Sequence, residues 1–254
     1  MNAAIITVAG ISSRFNADVP EREKTLKAIY TAFSPKETLL YQLVRKCAFA
    51  DRIIVVGGYQ FEQLQKFIRE VCLPLWPQLV LVENPRYADL SSGYSLYLGI
   101  TEALKHRPDR VLFVEGDLDI DDMSFEKVVR SGKNVLTYTK DPVYARKSVA
   151  LYQKGDGRYQ YAFNSAHGLL SIPEPFSMIC NSGQLWQFTD AAALKTANDT
   201  FFRDNINDTN LGIIQGYLDR VEPDSVELIR LDRWTNCNTR DDYNHICTFW
   251  RETV

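Results

Sequence analysis

Four short runs of consecutive apolar residues, at 3–9, 53–56, 79–82 and 111–114, mark out the first half of the chain. Strands buried on both faces of a parallel sheet read this way, because neither face meets water. Between these runs the period changes to that of a helix. Leu39, Leu40, Leu43, Val44 and Cys47 share one face, and Phe61, Leu64, Phe67, Ile68 and Val71 share another. A third helix, near 94–105, turns Leu96, Ile100, Ala103 and Leu104 inward. Strand–helix alternation of this kind predicts a right-handed, Rossmann-like arrangement with its working residues at the carboxyl ends of the strands.

The second half has a different texture. Shorter strands are expected at 135–139, 149–153 and 159–163, with Gly155-Asp156-Gly157 as a tight turn. Helices are expected near 182–195 and 209–221, then a strand at 226–231 and a final helix after Asp241. No repeat, low-complexity tract or linker interrupts the chain. The expectation is one α/β domain over 1–254: a Rossmann-like, mixed but mainly parallel sheet flanked by helices, with a small mixed β insertion. Its parts are a first half (1–132), a middle region (133–230) and a closing segment (231–254).

Composition narrows the classes of partner. The chain is 45% hydrophobic and 24% charged, as in ordinary globular proteins. Its net charge of −3 argues against a nucleic-acid partner held by a basic surface. No apolar run approaches the roughly 20 residues of a membrane span, and the first residues read as a strand rather than a signal peptide. Five cysteines without Cys-x-x-Cys spacing read as reduced thiols of a cytoplasmic protein, not as a zinc site.

Chemistry begins where the first strand ends. Ala9-Gly10-Ile11-Ser12-Ser13-Arg14 turns from apolar to small and polar, which brings backbone N–H groups up to a phosphate. Gly10 allows close approach, Ser12 and Ser13 add hydroxyls, and Arg14 and Lys24 supply the charge that a triphosphate needs. The glycine spacing is neither a Walker loop nor a dinucleotide fingerprint. Past the fourth strand, Asp117-Leu118-Asp119 offers two carboxylates to a hard cation such as Mg²⁺. Asp121 and Asp122 suit the cap of the next helix. Near the end, Asn236-Cys237-Asn238-Thr239-Arg240-Asp241-Asp242-Tyr243 offers an amide ligand, and Thr239-x-x-Asp242 fits a capping pattern.

The loop and Lys24-Thr25-Leu26 resemble the signature of the sugar-phosphate nucleotidyltransferase superfamily, Ala-Ala-Gly-x-Gly-Ser/Thr-Arg followed by Pro-Lys-x-Leu. Val8 stands for the first Ala, Ser12 for the second Gly and Glu23 for the Pro. A register three residues later makes Lys27 the equivalent lysine. The resemblance implies Asp117 and Asn238 as the ligands of one Mg²⁺, with Asp119 as a further candidate. Asn84-Pro85-Arg86-Tyr87, followed by Tyr94-Ser95-Leu96, is similar to a segment of choline-phosphate cytidylyltransferases. It implies that Ser95, with Ser92 and Gly93, contacts the base and ribose. The phosphate loop, Ala9 to Ser13 with Ile11 at its tip, completes the implied nucleotide site.

The implied reaction is attack by a phosphate or phosphonate oxygen of a small acceptor on the α-phosphorus of CTP or another nucleoside triphosphate, releasing pyrophosphate. Arg14 would hold the β- and γ-phosphates, and Lys24 would bridge the α-phosphate and the acceptor. On this reading 1–132 binds nucleotide, 133–230 binds acceptor and 231–254 closes the metal site. Tyr161, His167, Trp186 and Arg203 are the candidate acceptor residues, for a choline-phosphate-like, amino-alcohol or amino-acid phosphate used in surface polysaccharide or phosphonate decoration. A homodimer is compatible with this reading. Competing readings are a sugar-1-phosphate or molybdenum-cofactor nucleotidyltransferase of other base choice, a GT-A type glycosyltransferase using Asp117-x-Asp119, and a non-catalytic nucleotide sensor.

Overall fold

A computed structural model describes residues 1–145, 148–162 and 169–252. The chain opens with β1 (Asn2–Thr7), runs through α1 (Leu39–Lys46) to β2 (Arg52–Gly57), then through α2 (Phe61–Phe67) to β3 (Leu79–Glu83). It continues through α3 (Ser92–Leu104) to β4 (Arg110–Glu115), the short β5 (Leu118–Ile120) and α4 (Asp122–Arg130). The second half adds β6 (Asn134–Thr139), β7 (Ala150–Lys154), β8 (Tyr159–Ala162), β9 (Phe176–Ser182) and β10 (Leu185–Phe188). Then come α5 (Ala191–Asp204), α6 (Asn210–Leu218), β11 (Val226–Arg230), β12 (Trp234–Asn236) and α7 (Arg240–Glu252).

One sheet in the order β3-β2-β1-β4-β10-β6-β9-β7-β8 carries the molecule, with β11 pairing in parallel with β6. The four strands of the first half are parallel, and β10 enters antiparallel beside β4. The continuous apolar run of β1 is explained by its two faces. Ala4, Ile6 and Val8 pack with α1 and α4 residues on one side, and Ala3 and Ile5 pack with α3, α5 and α6 residues on the other. α3 lies so close to β1 that a Cβ on Gly99 would meet Ile5 Cγ2 at 2.6 Å. The short strands of the second half continue the same sheet.

The helix expected at 182–195 is a correction. Leu185–Phe188 is instead a strand, buried throughout between β4 and β6, and α5 begins only at Ala191. Asp190 caps α5, its carboxylate accepting from the N–H groups of Ala192 and Ala193. A second, two-stranded sheet pairs β12 with β5, which carries the closing segment back over the end of β4. A third apolar cluster, Phe15, Leu39, Cys237, Tyr243, Ile246 and Cys247, seats α7 against the residues that follow the first loop. All five cysteines are free thiols. Among the described residues no helix is long and apolar enough to cross a membrane.

Candidate active site

A cavity of about 330 Å³ opens at the carboxyl ends of β1, β3 and β4. It brings together the loop residues Ala9, Gly10, Ser12, Ser13 and Arg14 with Ser92, Ser95, Asp117 and Asn238. Residues more than 220 positions apart therefore share one wall, as the strand–helix pattern requires.

The loop is held from the segment that follows it. Ser12 sits at φ 60°, a left-handed conformation that suits the Gly of the superfamily pattern. Its hydroxyl accepts from the Lys27 N–H at 3.2 Å and lies 3.4 Å from the Gly10 carbonyl, to which it donates. Asn16, buried beneath the loop, donates to the Thr25 carbonyl at 2.9 Å and accepts from the Thr25 N–H at 3.2 Å. These bonds decide which lysine faces the cavity. Lys27 Nζ donates to Asp117 Oδ2 at 2.8 Å and to the Cys237 carbonyl at 2.9 Å. Lys24 turns outward to Glu21, 2.6 Å away, and does not line the cavity. The hydrogen bond and charge of Glu21 raise the Lys24 pKa. The structure thus places Lys27, and not the expected Lys24, at the cavity. Ile11 is likewise exposed at the loop tip and outside the cavity wall.

Asp117 is placed by a close approach of chains. A Cβ on Gly116 would meet Val8 Cγ1 at 2.3 Å and the Thr7 carbonyl at 2.6 Å, so Gly lets the end of β4 lie against the end of β1. Asp117 Oδ2 takes Lys27, whereas Oδ1 is buried with no hydrogen-bond partner among the described residues. The Asp117 carbonyl accepts from the Cys237 N–H at 2.7 Å, which sets Asn238 at the cavity wall. A reciprocal cap fixes the same turn: Asp242 accepts from the N–H groups of Asn238 and Thr239, and Thr239 Oγ1 accepts from the Asp242 N–H. An orphaned carboxylate oxygen on a wall that also carries an amide side chain is a hard donor set that fits Mg²⁺ completed by ligand phosphates and water. Among the described residues no group of three or more His, Cys, Asp or Glu could hold a metal unaided.

Asp119 does not belong to that set. It is 1% exposed, ion-paired with Arg233, and accepts from Trp250 Nε1 at 2.9 Å, away from the cavity. It holds β5, β12 and α7 together instead.

At the other end, buried Asn84 donates to Ser95 Oγ at 2.9 Å and accepts from the Arg86 N–H. Ser92 Oγ accepts from the Asn210 N–H at 3.2 Å. Gly93 is not on the wall: a Cβ there would meet Phe201 Cζ at 2.4 Å and the Asp208 carbonyl at 2.5 Å, so it serves the packing of α3 on α5. Glu115, which the sequence reading leaves aside, does line the cavity. Its oxygens accept from Gln184 Nε2 at 2.9 Å and Asn210 Nδ2 at 2.6 Å, both neutral donors from the second half. Burial, with the nearby charge of Asp117, holds its carboxyl well above the usual range.

The expected acceptor residues fall elsewhere. Trp186 is core, 5.0 Å from Phe113 in a stack and donating to Tyr161 Oη at 2.6 Å. Neither Trp186 nor Tyr161 reaches the cavity wall. Arg203 pairs with its neighbour Asp204 on the outer face of α5. His167 lies outside the described residues.

Comparison with known proteins agrees with this fold. A family model described as "Domain of unknown function (DUF6564)" matches residues 23–250. No curated protein matches the sequence significantly. Among solved structures, the CTP:phosphocholine cytidylyltransferase from Streptococcus pneumoniae is similar at 16% identity with a TM-score of 0.66, covering 98% of this chain and 99% of that one. The inositol-1-phosphate CTP transferase from T. maritima is similar at 14% identity with a TM-score of 0.67, covering 97% and 95%. The chain has the nucleotidyltransferase fold over its whole length.

Proposed function

The chain belongs to the DUF6564 family, and from the site of this member we propose a nucleotidyltransferase that joins a nucleoside monophosphate to a small phosphorylated or phosphonate acceptor. The observation that carries the reading is Lys27 Nζ on Asp117 Oδ2, at the junction of the phosphate loop and the closing segment. A cation and an acid with a free oxygen at that point suit a pentacoordinate phosphorus far better than a stable sugar–nucleotide complex.

Arg14, whose guanidinium has no protein partner among the described residues, binds the β- and γ-phosphates with the loop N–H groups. Lys27 leaves Asp117 for the α-phosphate and the incoming oxygen, neutralising charge as the new P–O bond forms and the bond to pyrophosphate breaks. An acceptor phosphate oxygen is already anionic, so no protein nucleophile is required, and positioning does most of the work. Asp117 and Asn238 would hold Mg²⁺, which supplies electrophilic polarisation of the α-phosphate.

CTP is the favoured nucleotide, because Asn84 and Ser95 form a small, rigid, hydrogen-bonding end that suits a pyrimidine. Glu115 favours an acceptor bearing an ammonium group: its hydrogen bonds come from neutral donors, burial and the charge of Asp117 push its carboxyl up to about 8, and a bound cation would stabilise its ionised form. A choline-phosphate-like, amino-alcohol or amino-acid phosphate meets that requirement, and a role in cell-surface decoration follows from such products. The test is pyrophosphate release over the four nucleoside triphosphates and a panel of phosphorylated and phosphonate acceptors at millimolar Mg²⁺. CTP with an amine-bearing acceptor is expected to lead; no release from any pairing overturns the transferase reading.

A further inference from the structure

Arg240, the first residue of α7, is a cation without an anion. Its guanidinium carbon lies 4.3 Å from the centroid of the Tyr30 ring and 5.2 Å from that of Phe15. Among the described residues it makes no hydrogen bond or ion pair, and its Nε is buried without an acceptor. Other arginines of the closing segment are matched: Arg233 faces Asp119 and Arg251 faces Glu37. The start of a helix is also the wrong end for a positive charge, since the macrodipole repels it there. A cation held by two aromatic faces at that position is poised for something that arrives. Phe15 lines the cavity directly after Arg14, and Asn238 lines it two residues before Arg240. Arg240 itself stands outside the cavity wall, on the ring of Phe15, and the part of the wall nearest to it is the phosphate-loop end, not the end at Ser95.

We propose that Arg240 is a second phosphate clamp, which binds the terminal phosphates of the triphosphate alongside Arg14 and retains them as the pyrophosphate leaves. This rests on the nucleotidyltransferase reading. As the acceptor oxygen bonds to the α-phosphorus, the α–β bridging bond breaks and its electron pair stays on the β-phosphate. A planar guanidinium can take two of the oxygens that share that charge.

The experiment is calorimetric titration of the full chain, with Mg²⁺, using three probes: inorganic pyrophosphate, the nucleoside triphosphate that the wild type accepts, and its monophosphate. Arg240→Ala is expected to weaken pyrophosphate and triphosphate roughly tenfold or more and to leave the monophosphate within about twofold. Arg240→Lys should recover only part, because an ammonium lacks the fork. Should the alanine variant fail to fold, Arg240→Met, which keeps contact with the rings, and Arg240→Lys decide the matter. Unchanged pyrophosphate affinity in a folded variant overturns the clamp while leaving the transferase reading intact. So does an equal loss for all three probes with a lowered melting temperature, which marks a helix anchor. A wild type that binds neither pyrophosphate nor any triphosphate overturns both.

Discussion

Lys24 and Lys27 both stand before a small residue and an apolar one, and neither follows the expected Pro, so the linear pattern cannot separate them. Two short contacts do: Ser12 Oγ takes the Lys27 N–H, and Asn16 braces Thr25 on both sides. With residue 25 pinned, Lys24 faces solvent and Glu21 while Lys27 faces Asp117. Lys27→Ala should therefore cost about 10²–10³ in turnover with a normal fold, the loss typical of one transition-state contact. Lys24→Ala should stay within a few-fold of wild type. Rates of pyrophosphate release for the two variants decide it, and reversed phenotypes would return the role to Lys24. Asp119 shows the same limit of a one-dimensional reading. It is two residues from Asp117 and equally acidic, yet its partners, Arg233 and Trp250, lie more than a hundred residues away. That Arg14, Ser95, Asp117 and Asn238 share one cavity wall was legible because each lies in a loop after a readable strand or near the start of a readable helix.

At the scale of elements, the parallel strands of the first half announced themselves because each is apolar on two faces. β10 did not. Leu185–Phe188 is four residues long and runs almost directly into α5, so its apolar residues merge with the helical period that follows. Only its pairing with β4 and β6 makes it a strand. β5 and β12, of three residues each, are shorter than any pattern can signal. The cap of α7 was legible, since Thr239-x-x-Asp242 is local, and the structure gives it a consequence. Asp242 holds the N–H groups of Asn238 and Thr239, so it fixes the backbone that carries Asn238, the proposed amide ligand. Asp242→Ala should lower stability by about 1 kcal/mol, as cap losses do, and the melting temperature by about 2–4 °C. It should also raise the Mg²⁺ concentration needed for half-maximal activity. A stability loss with an unchanged Mg²⁺ requirement would reduce the cap to a purely structural role.

Across the whole molecule, a single sheet joins a half that repeats a familiar pattern to a half that does not. On the proposed reading the first half places the nucleotide, while the sequence of the second half discloses no acceptor residue, because the type of an aromatic side chain does not reveal its burial. Trp186 and Tyr161 are spent on each other and on Phe113. The second half reaches the cavity by a different route, through Gln184 and Asn210 onto Glu115. Gln184 sits in the turn between β9 and β10, and Asn210 opens α6, so one carboxylate from β4 gathers two separate elements of the second half at the cavity. Glu115→Gln preserves size and removes the ability to ionise when a cation arrives, which makes it a probe of what the acceptor carries. With an amine-bearing acceptor its KM should rise about tenfold or more, the worth of a hydrogen bond to a charged group. The KM for the nucleoside triphosphate should stay within about twofold, and an uncharged phosphorylated acceptor should show no change. If instead the nucleotide KM rises and the acceptor KM does not, Glu115 belongs to the nucleotide end, and the ammonium must be sought elsewhere in the second half.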